Sequence, residues 1–314
     1  MQRIGLVVSP GCSPISFAAL SVFELANVFI DPKPYDLRIL SEKGGPVGMS
    51  LGMNVTTEAF DEAAYDTLIV GGGLTVETPP PGLVDFMREA PDRARRVAAI
   101  CVGAFVLAEA GVLDGRRATT HWAYARDMQT QYPQVKVEED RIFICDDAVW
   151  TSAGMTAGID LALALVEADL GADVARNIAR KMVMYHRRAG GQSQFSALLE
   201  LSPKSDRIQK ALAFARDNLQ KPLTVNDLAD AASLSPRQFS RAFHAETGQS
   251  PAKAIEHLRL EAARLMMEQS RHPIDTVAEQ TGFADRDRMR RAFLRAYGQP
   301  PQVIRRNARS PMDA

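Results

Sequence analysis

The segments FSRAFHAETGQSP (239–251) and MRRAFLRAYGQPP (289–301) stand fifty residues apart. They coincide at Arg241/Arg291, Ala242/Ala292, Phe243/Phe293, Gly248/Gly298, Gln249/Gln299 and Pro251/Pro301. An internal repeat constrains a fold strongly, because each copy must be the same supersecondary unit. Upstream, DLADAASLS (227–235) matches DTVAEQTGFA (275–284) more loosely, with Leu228-Ala229 against Val277-Ala278. Each copy therefore reads as a short helix, a turn and a second amphipathic helix closed by a glycine. The two units span 224–247 and 274–297, and PAKAIEHLRLEAARLMMEQ (251–269) joins them as one long helix.

The local chemistry agrees. Thr224 with Asp227 fits a capping box, and Ser235-Pro236 fits the N-cap and first turn of a helix. Phe239 and Phe243 form an inward stripe in the first copy, as do Met289, Phe293 and Tyr297 in the second. That leaves Arg237, Gln238, Ser240 and Arg241 facing out in one copy, and Arg286, Arg288, Arg290 and Arg291 in the other. Arginines and polar side chains on such helices reach base edges and phosphates in a major groove. Charge supports a polyanionic partner: residues 201–314 carry 19 Lys+Arg against 13 Asp+Glu, net +6, while residues 1–200 carry 18 against 25, net −7. Residues 205–309 resemble the DNA-binding domain of AraC/XylS transcription regulators, two helix-turn-helix units joined by a long helix. The resemblance includes Gly282-Phe283 and departs at Met289, where the family more often carries an aromatic residue.

The first part of the chain alternates instead. RIGLVV (3–8), YDLRIL (35–40), DTLIVGGG (66–73), RVAAIC (96–101), RIFIC (141–145) and AVWTSAG (148–154) read as strands. Helical patterns at 17–29, 82–90, 104–111 and 157–171 separate them, so a mostly parallel sheet covered on both faces is expected. Ligands of such sheets bind beyond the carboxyl ends of the strands. Cys101 and the Gly71-Gly72-Gly73 run fall at such ends. A cysteine between a strand and a helix is placed like the serine of a nucleophile elbow, and the helix N-terminus is expected to lower its pKa. His121 in TTHW supplies a possible base downstream. The glycines either turn N–H groups towards an anion or only permit a tight turn. Trp150 is expected in the core, and Trp122 is placed to wall a cationic ligand.

In this order VGGG, AICVGAFVLAEAG, RATTHW and TSAGMTAGIDLAL resemble the DJ-1/PfpI class, a flavodoxin-like, class I glutamine-amidotransferase-like fold. Several members of that class are hydrolases or glyoxalase-like enzymes working through the cysteine. This chain departs from them: Val102 follows the cysteine, Ser16 aligns with the acid that orients the thiol, and Ser21 with a second acid. Glu24 lies about two turns from Ser16, too far to replace it. A thiol without an orienting acid lacks what nucleophilic catalysis requires, which makes Cys101 and His121 vestigial. The order of the two domains resembles the GlxA family of regulators. That resemblance implies a promoter-binding homodimer, paired through the first domain. Its effector would be small and nitrogenous (quaternary ammonium compounds or basic amino acids in relatives), and the position of ligands beyond strand ends places it near Gly72, Gly73, Cys101, Val102 and His121. Activation, and with it contact with RNA polymerase, is implied in the same way. The rival readings are a DNA-tethered thiol enzyme using Cys101 and a ligand-independent architectural DNA binder.

The rest sets boundaries. An α/β sensing domain over 1–187, a linker over 188–204 rich in Gly, Gln and Ser, and an all-α domain over 205–309 are expected. No run of about 18 apolar residues exists to cross a membrane. MQRIGLVV is too short an apolar start for a signal peptide. Three cysteines without CxxC point to a reducing cytoplasm. Absence of GxGxxG argues against a dinucleotide cofactor, and His186, His244, His257 and His272 lack metal-ligand spacing. Arg187-Arg188 are expected to snorkel at a helix end.

Overall fold

The computed structural model describes residues 1–184, 188, 190, 194, 201, 203, 205–270, 272–297 and 299–309. The chain divides into two compact units, Met1–Gln194 and Phe195–Ala314. His186, Arg187, Gly298 and most of the expected linker lie outside the described residues.

In the first unit the strands are β1 (Gln2–Val7), β2 (Tyr35–Ser41), β3 (Gly45–Gly48), β4 (Asn54–Ala59), β5 (Tyr65–Val70), β6 (Ala94–Ile100), β7 (Arg117–Ala118), β8 (Lys136–Val137), β9 (Phe143–Asp146) and β10 (Val149–Ser152). Eight of them form one sheet in the order β3-β4-β2-β1-β5-β6-β10-β9. Its centre is parallel: β1 pairs with β2 (Leu6↔Ile39) and β5 (Leu6↔Ile69), and β6 with β5 (Ala98↔Ile69) and β10 (Ala98↔Trp150). Both edges close with antiparallel pairs, β3 on β4 and β9 on β10. Central strands such as β5 and β6 are apolar on both faces because helices cover both. These helices are α1 (Phe17–Phe29), α2 (Pro81–Arg88), α3 (Ala90–Arg93), α4 (Gly103–Glu109), α5 (Ala125–Gln131), α6 (Ala157–Leu170) and α7 (Ala172–Lys181). Helices α1, α6 and α7 pack as one layer, α2 and α4 as another.

Strand β6 stops at Ile100, which leaves Cys101 in the expected turn, whereas β5 stops at Val70, so Gly71–Gly73 form a turn rather than the end of a strand. Strands β3 and β4 and helices α5 and α7 went unforeseen. Arg188 does not snorkel: its guanidinium and backbone N–H bond the fully buried Asp160 carboxylate at 2.8–3.0 Å. Gly190 accepts from the Ile142 amide and Gln194 is anchored as well, so described residues of the expected linker belong to the first unit.

The second unit holds α8 (Asp206–Asp217), α9 (Val225–Ala231), α10 (Pro236–Thr247), α11 (Pro251–Gln269), α12 (Ile274–Gln280), α13 (Arg286–Tyr297) and α14 (Pro301–Arg309). The predicted caps form. Thr224 and Asp227 make a capping box, Ser235 and Gln238 another, and Gly248 ends α10 in the left-handed region. Each helix pair has its own core. Phe239, Phe243, Leu228 and Ala229 pack with Ala254, Ile255 and Leu258 from the first half of α11. Met289, Phe293, Val277 and Ala278 pack with Leu260, Ala263 and Met267 from its second half.

Candidate functional sites at the strand ends and on the paired helices

Topology assembles the first site. Because β5, β6 and β10 are parallel neighbours, the turns after Val70, Ile100 and Ser152 end side by side. Cys101 sits in the turn from β6 to α4 with φ of 58°, a left-handed conformation that costs a non-glycine residue roughly 1–2 kcal/mol. The N–H of Val102, next in this turn, and that of Met155, in the turn after β10, both point at the sulfur. Two glycines let the strands approach: a Cβ on Gly72 would lie 2.8 Å from the Gly103 nitrogen and 2.9 Å from the Ile100 carbonyl. Gly72 is buried, and its carbonyl accepts from Ser13 N–H and the Cys12 thiol. The structure thus places Gly72 in packing, while Gly73 is partly open.

The sulfur's electrostatics run against the expectation from the helix terminus. Burial pushes the Cys101 thiol above its ordinary value, and the two N–H groups only partly offset it. Cys12, unremarked in the sequence, is pushed to about 11 by burial. Its sulfur lies 3.9 Å from Ser16 Oγ, so Ser16 fills the floor beside a second buried thiol. Ser21 bonds the Phe17 carbonyl within its own helix. Both thiols are therefore protonated near neutral pH, and a protonated thiol is a poor nucleophile.

His121 caps the short helix Trp122–Tyr124, accepting the Ala123 N–H at Nδ1, which places the neutral ring's proton on Nε2. Its ring lies against Gly154, where a Cβ would come within 2.0 Å of Cδ2. Burial lowers its pKa. Ring centroids of Trp122 and Tyr124 lie 5.6 and 5.9 Å from that of His121, and Trp122 is half exposed. Trp150 is buried as expected. Thr120 Oγ1 donates to the Cys101 carbonyl at 2.9 Å. Gln194 then holds this loop: Nε2 donates to the Thr120 and Glu139 carbonyls, and Oε1 accepts the Trp122 N–H, each at 2.9 Å. Thr120 and Met155 fall inside TTHW and TSAGMTAGIDLAL without being singled out there, and Gln194 belongs to no motif. Among the described residues no group of three His, Cys, Asp or Glu side chains comes together to hold a metal.

The second site is a pair of exposed helix faces. Arg237, Gln238 and Arg241 are exposed on α10, and Arg286, Arg288, Arg290 and Arg291 on α13. Two expected contacts are turned inward: Gln238 Oε1 is spent on the Ser235 cap, and Ser240 Oγ bonds the Pro236 carbonyl. The arginines of α13 do not share one face. Arg288, Arg291 and Arg295, at i, i+3 and i+7, line a groove with Glu256 and Arg259 of α11. Arg286 and Arg290 are not part of it. Arg295 was missed because it lies beyond the first turns that sequence reasoning favours.

The DJ-1/PfpI family model matches residues 16–168, and a helix-turn-helix domain model matches 228–307. The chain is 30% identical to the HTH-type transcriptional regulator GbdR of Pseudomonas aeruginosa over 96% of this chain and 83% of that one. It is 27% identical to the HTH-type transcriptional regulator GlxA of Rhizobium meliloti over 99% and 97%. The isonitrile hydratase of Pseudomonas putida is 38% identical over 42% of this chain and 58% of its own. In fold, an AraC family transcriptional regulator from Pseudomonas putida superposes with a TM-score of 0.54 and 23% identity over 58% of this chain and all of that one. An enzyme is thus matched over part of the chain, whereas the regulators are matched along nearly all of it. The chain belongs to the GlxA-type family of HTH transcriptional regulators, which join a DJ-1/PfpI domain to an AraC-type DNA-binding domain.

Proposed function

We propose that the first unit senses a small metabolite at the ends of β5, β6 and β10, and that the second unit answers on promoter DNA as an activator. One observation carries this reading: a doubly capped helix pair and its repeat, both with exposed arginines, follow a cysteine turn whose thiol is buried and, among the described residues, has no orienting acid. Arg237, Arg241, Arg286, Arg288, Arg290 and Arg291 contact DNA, with Gln238 and Ser240 supporting the cap and first turns of α10. The long helix α11 spans about 28 Å at 1.5 Å per residue and sets the spacing of the two helix pairs along a duplex whose successive major grooves lie about 34–36 Å apart. Gly73, Cys101, Val102 and His121 face the effector. The rings of His121, Trp122 and Tyr124 suit a cationic nitrogen, which a ring face attracts. The homodimer forms through the first unit, RNA polymerase is the activator's partner, and the compartment is the cytoplasm.

Transmission runs from the loop at His121 through Gln194 and Arg188 into the stretch up to residue 204. Ligand binding shifts an equilibrium only through its differential affinity for the two states.

The full chain is tested in gel shifts on DNA selected from a random-sequence pool. Arg241→Ala is expected to weaken binding by about 1–3 kcal/mol, roughly 5- to 150-fold, and to relax preference at one position. Unchanged affinity and selectivity would remove the recognition-helix assignment. Thermal shifts of the full chain with glycine betaine, carnitine and arginine test the sensor, since a ligand of the native state must raise the melting temperature.

A further inference from the structure

The groove between α11 and α13 is not accounted for by a recognition helix reading bases. It is about 440 Å³, and Arg259, Arg288, Arg291 and Arg295 line it against one carboxylate, Glu256. Glu256 pairs with Arg295 at 2.7 Å, and Arg288 pairs with Asp285 at 3.5 Å. A surplus of positive charge remains in the groove. Arg259 is held in place rather than free: Nε donates to the Leu219 carbonyl at 3.1 Å and a terminal nitrogen to the Lys221 carbonyl at 2.7 Å. Gly282 makes room for it. With φ of 78°, a Cβ there would fall 1.9 Å from the Leu219 oxygen and 2.7 Å from Arg259 Nε.

A fixed guanidinium with unused N–H donors, flanked by three exposed ones of which two are ion-paired, is the arrangement that binds a phosphate oxyanion. The repeat shows that this is special to the second helix pair. Fifty residues earlier the same stripe of α10 reads Gln238, Arg241 and Ala245, one cation in place of three. A symmetric pair of base readers gives no reason for the difference.

We propose that the α11–α13 groove is a phosphate-binding site that grips the DNA backbone beside the second helix pair, so that the two pairs divide the work. The first helix pair, with its single arginine stripe, carries more of the base discrimination, and the second pair supplies sequence-independent hold. This rests on the DNA-binding reading above. A lone phosphate or nucleotide offers the same oxyanion, and the test separates the two sources.

The experiment measures binding of the full chain to a mixed-sequence duplex across a chloride titration, for wild type, Arg295→Gln, Arg259→Lys and Glu256→Gln. Each lost phosphate contact lowers the slope of log K against log salt by about 0.9, and weakens binding roughly fivefold at 0.15 M salt. Arg295→Gln is expected to do both, equally for selected and mixed-sequence DNA. Arg259→Lys keeps the charge and loses the fork, so it should weaken binding with little change of slope. Glu256→Gln should move the other way, with tighter binding and a steeper slope. Far-ultraviolet circular dichroism of each variant checks that it is folded. Slopes unchanged in Arg295→Gln and Glu256→Gln, with DNA binding intact, would overturn the groove assignment alone. Stabilisation by inorganic phosphate at constant ionic strength, together with those unchanged slopes, would overturn the DNA source in favour of a free anion. A wild-type chain that binds no DNA would remove both the groove and the function on which it rests.

Discussion

Gln194→Ala tests whether the chain leaving the first unit is fastened to the loop that carries His121. The substitution removes three hydrogen bonds of 2.9 Å, to the Thr120 carbonyl, the Glu139 carbonyl and the Trp122 N–H. It keeps the backbone bond to Asp140. Each bond contributes about 0.5–1.5 kcal/mol net. Gln194 is half-buried and both Trp122 and Glu139 are exposed, so the upper end of that range is not reached. About 1.5–3 kcal/mol is left. Because every 1.4 kcal/mol is tenfold, amide exchange across 119–124 should accelerate roughly 10- to 100-fold. Hydrogen exchange followed by mass spectrometry on the full chain reads this directly, with β5 and β6 peptides as the unaffected reference. Exchange across 119–124 within twofold of wild type would refute the reasoning, because the loop would then be held without Gln194.

Two further outcomes follow from the same geometry. Gly282→Ala should destabilise the second unit by roughly 2–4 kcal/mol, from left-handed strain and the clash with the Leu219 carbonyl, and denaturant unfolding measures it. For His121 the folded-state pKa is lowered, so between that value and the unfolded value near 6.5 the unfolded chain binds more protons. Stability is therefore fully present above about pH 6.5 and declines as the pH falls through that window; His121→Asn should flatten the decline in melts between pH 5 and 8.

The helix pairs were legible in the sequence because their determinants are local. Capping boxes at 224–227 and 235–238, the Phe239/Phe243 stripe and the αL glycine at 248 all act within one or two turns. Strands β3 and β4 were not legible for a physical reason. They form the outer edge, largely exposed, and GPVG and NVTTEA carry neither an apolar run nor a clean alternation. The thiol's protonation was misjudged because a helix terminus is visible in sequence, whereas the burial that outweighs it arises only on folding. Gln194 bonds across more than seventy residues and Arg259 across forty, distances at which no periodic pattern survives.

Helix α11 contributes one half to each of two separate cores. The second helix pair is therefore present to DNA at an effective concentration set by a stiff connector, once the first has bound. A flexible tether would let the pairs search many relative phases around the duplex; a continuous helix presents only one. Affinity then grows from geometry rather than from added contacts, and it can be won only on operators whose two half-contacts fall in that single phase.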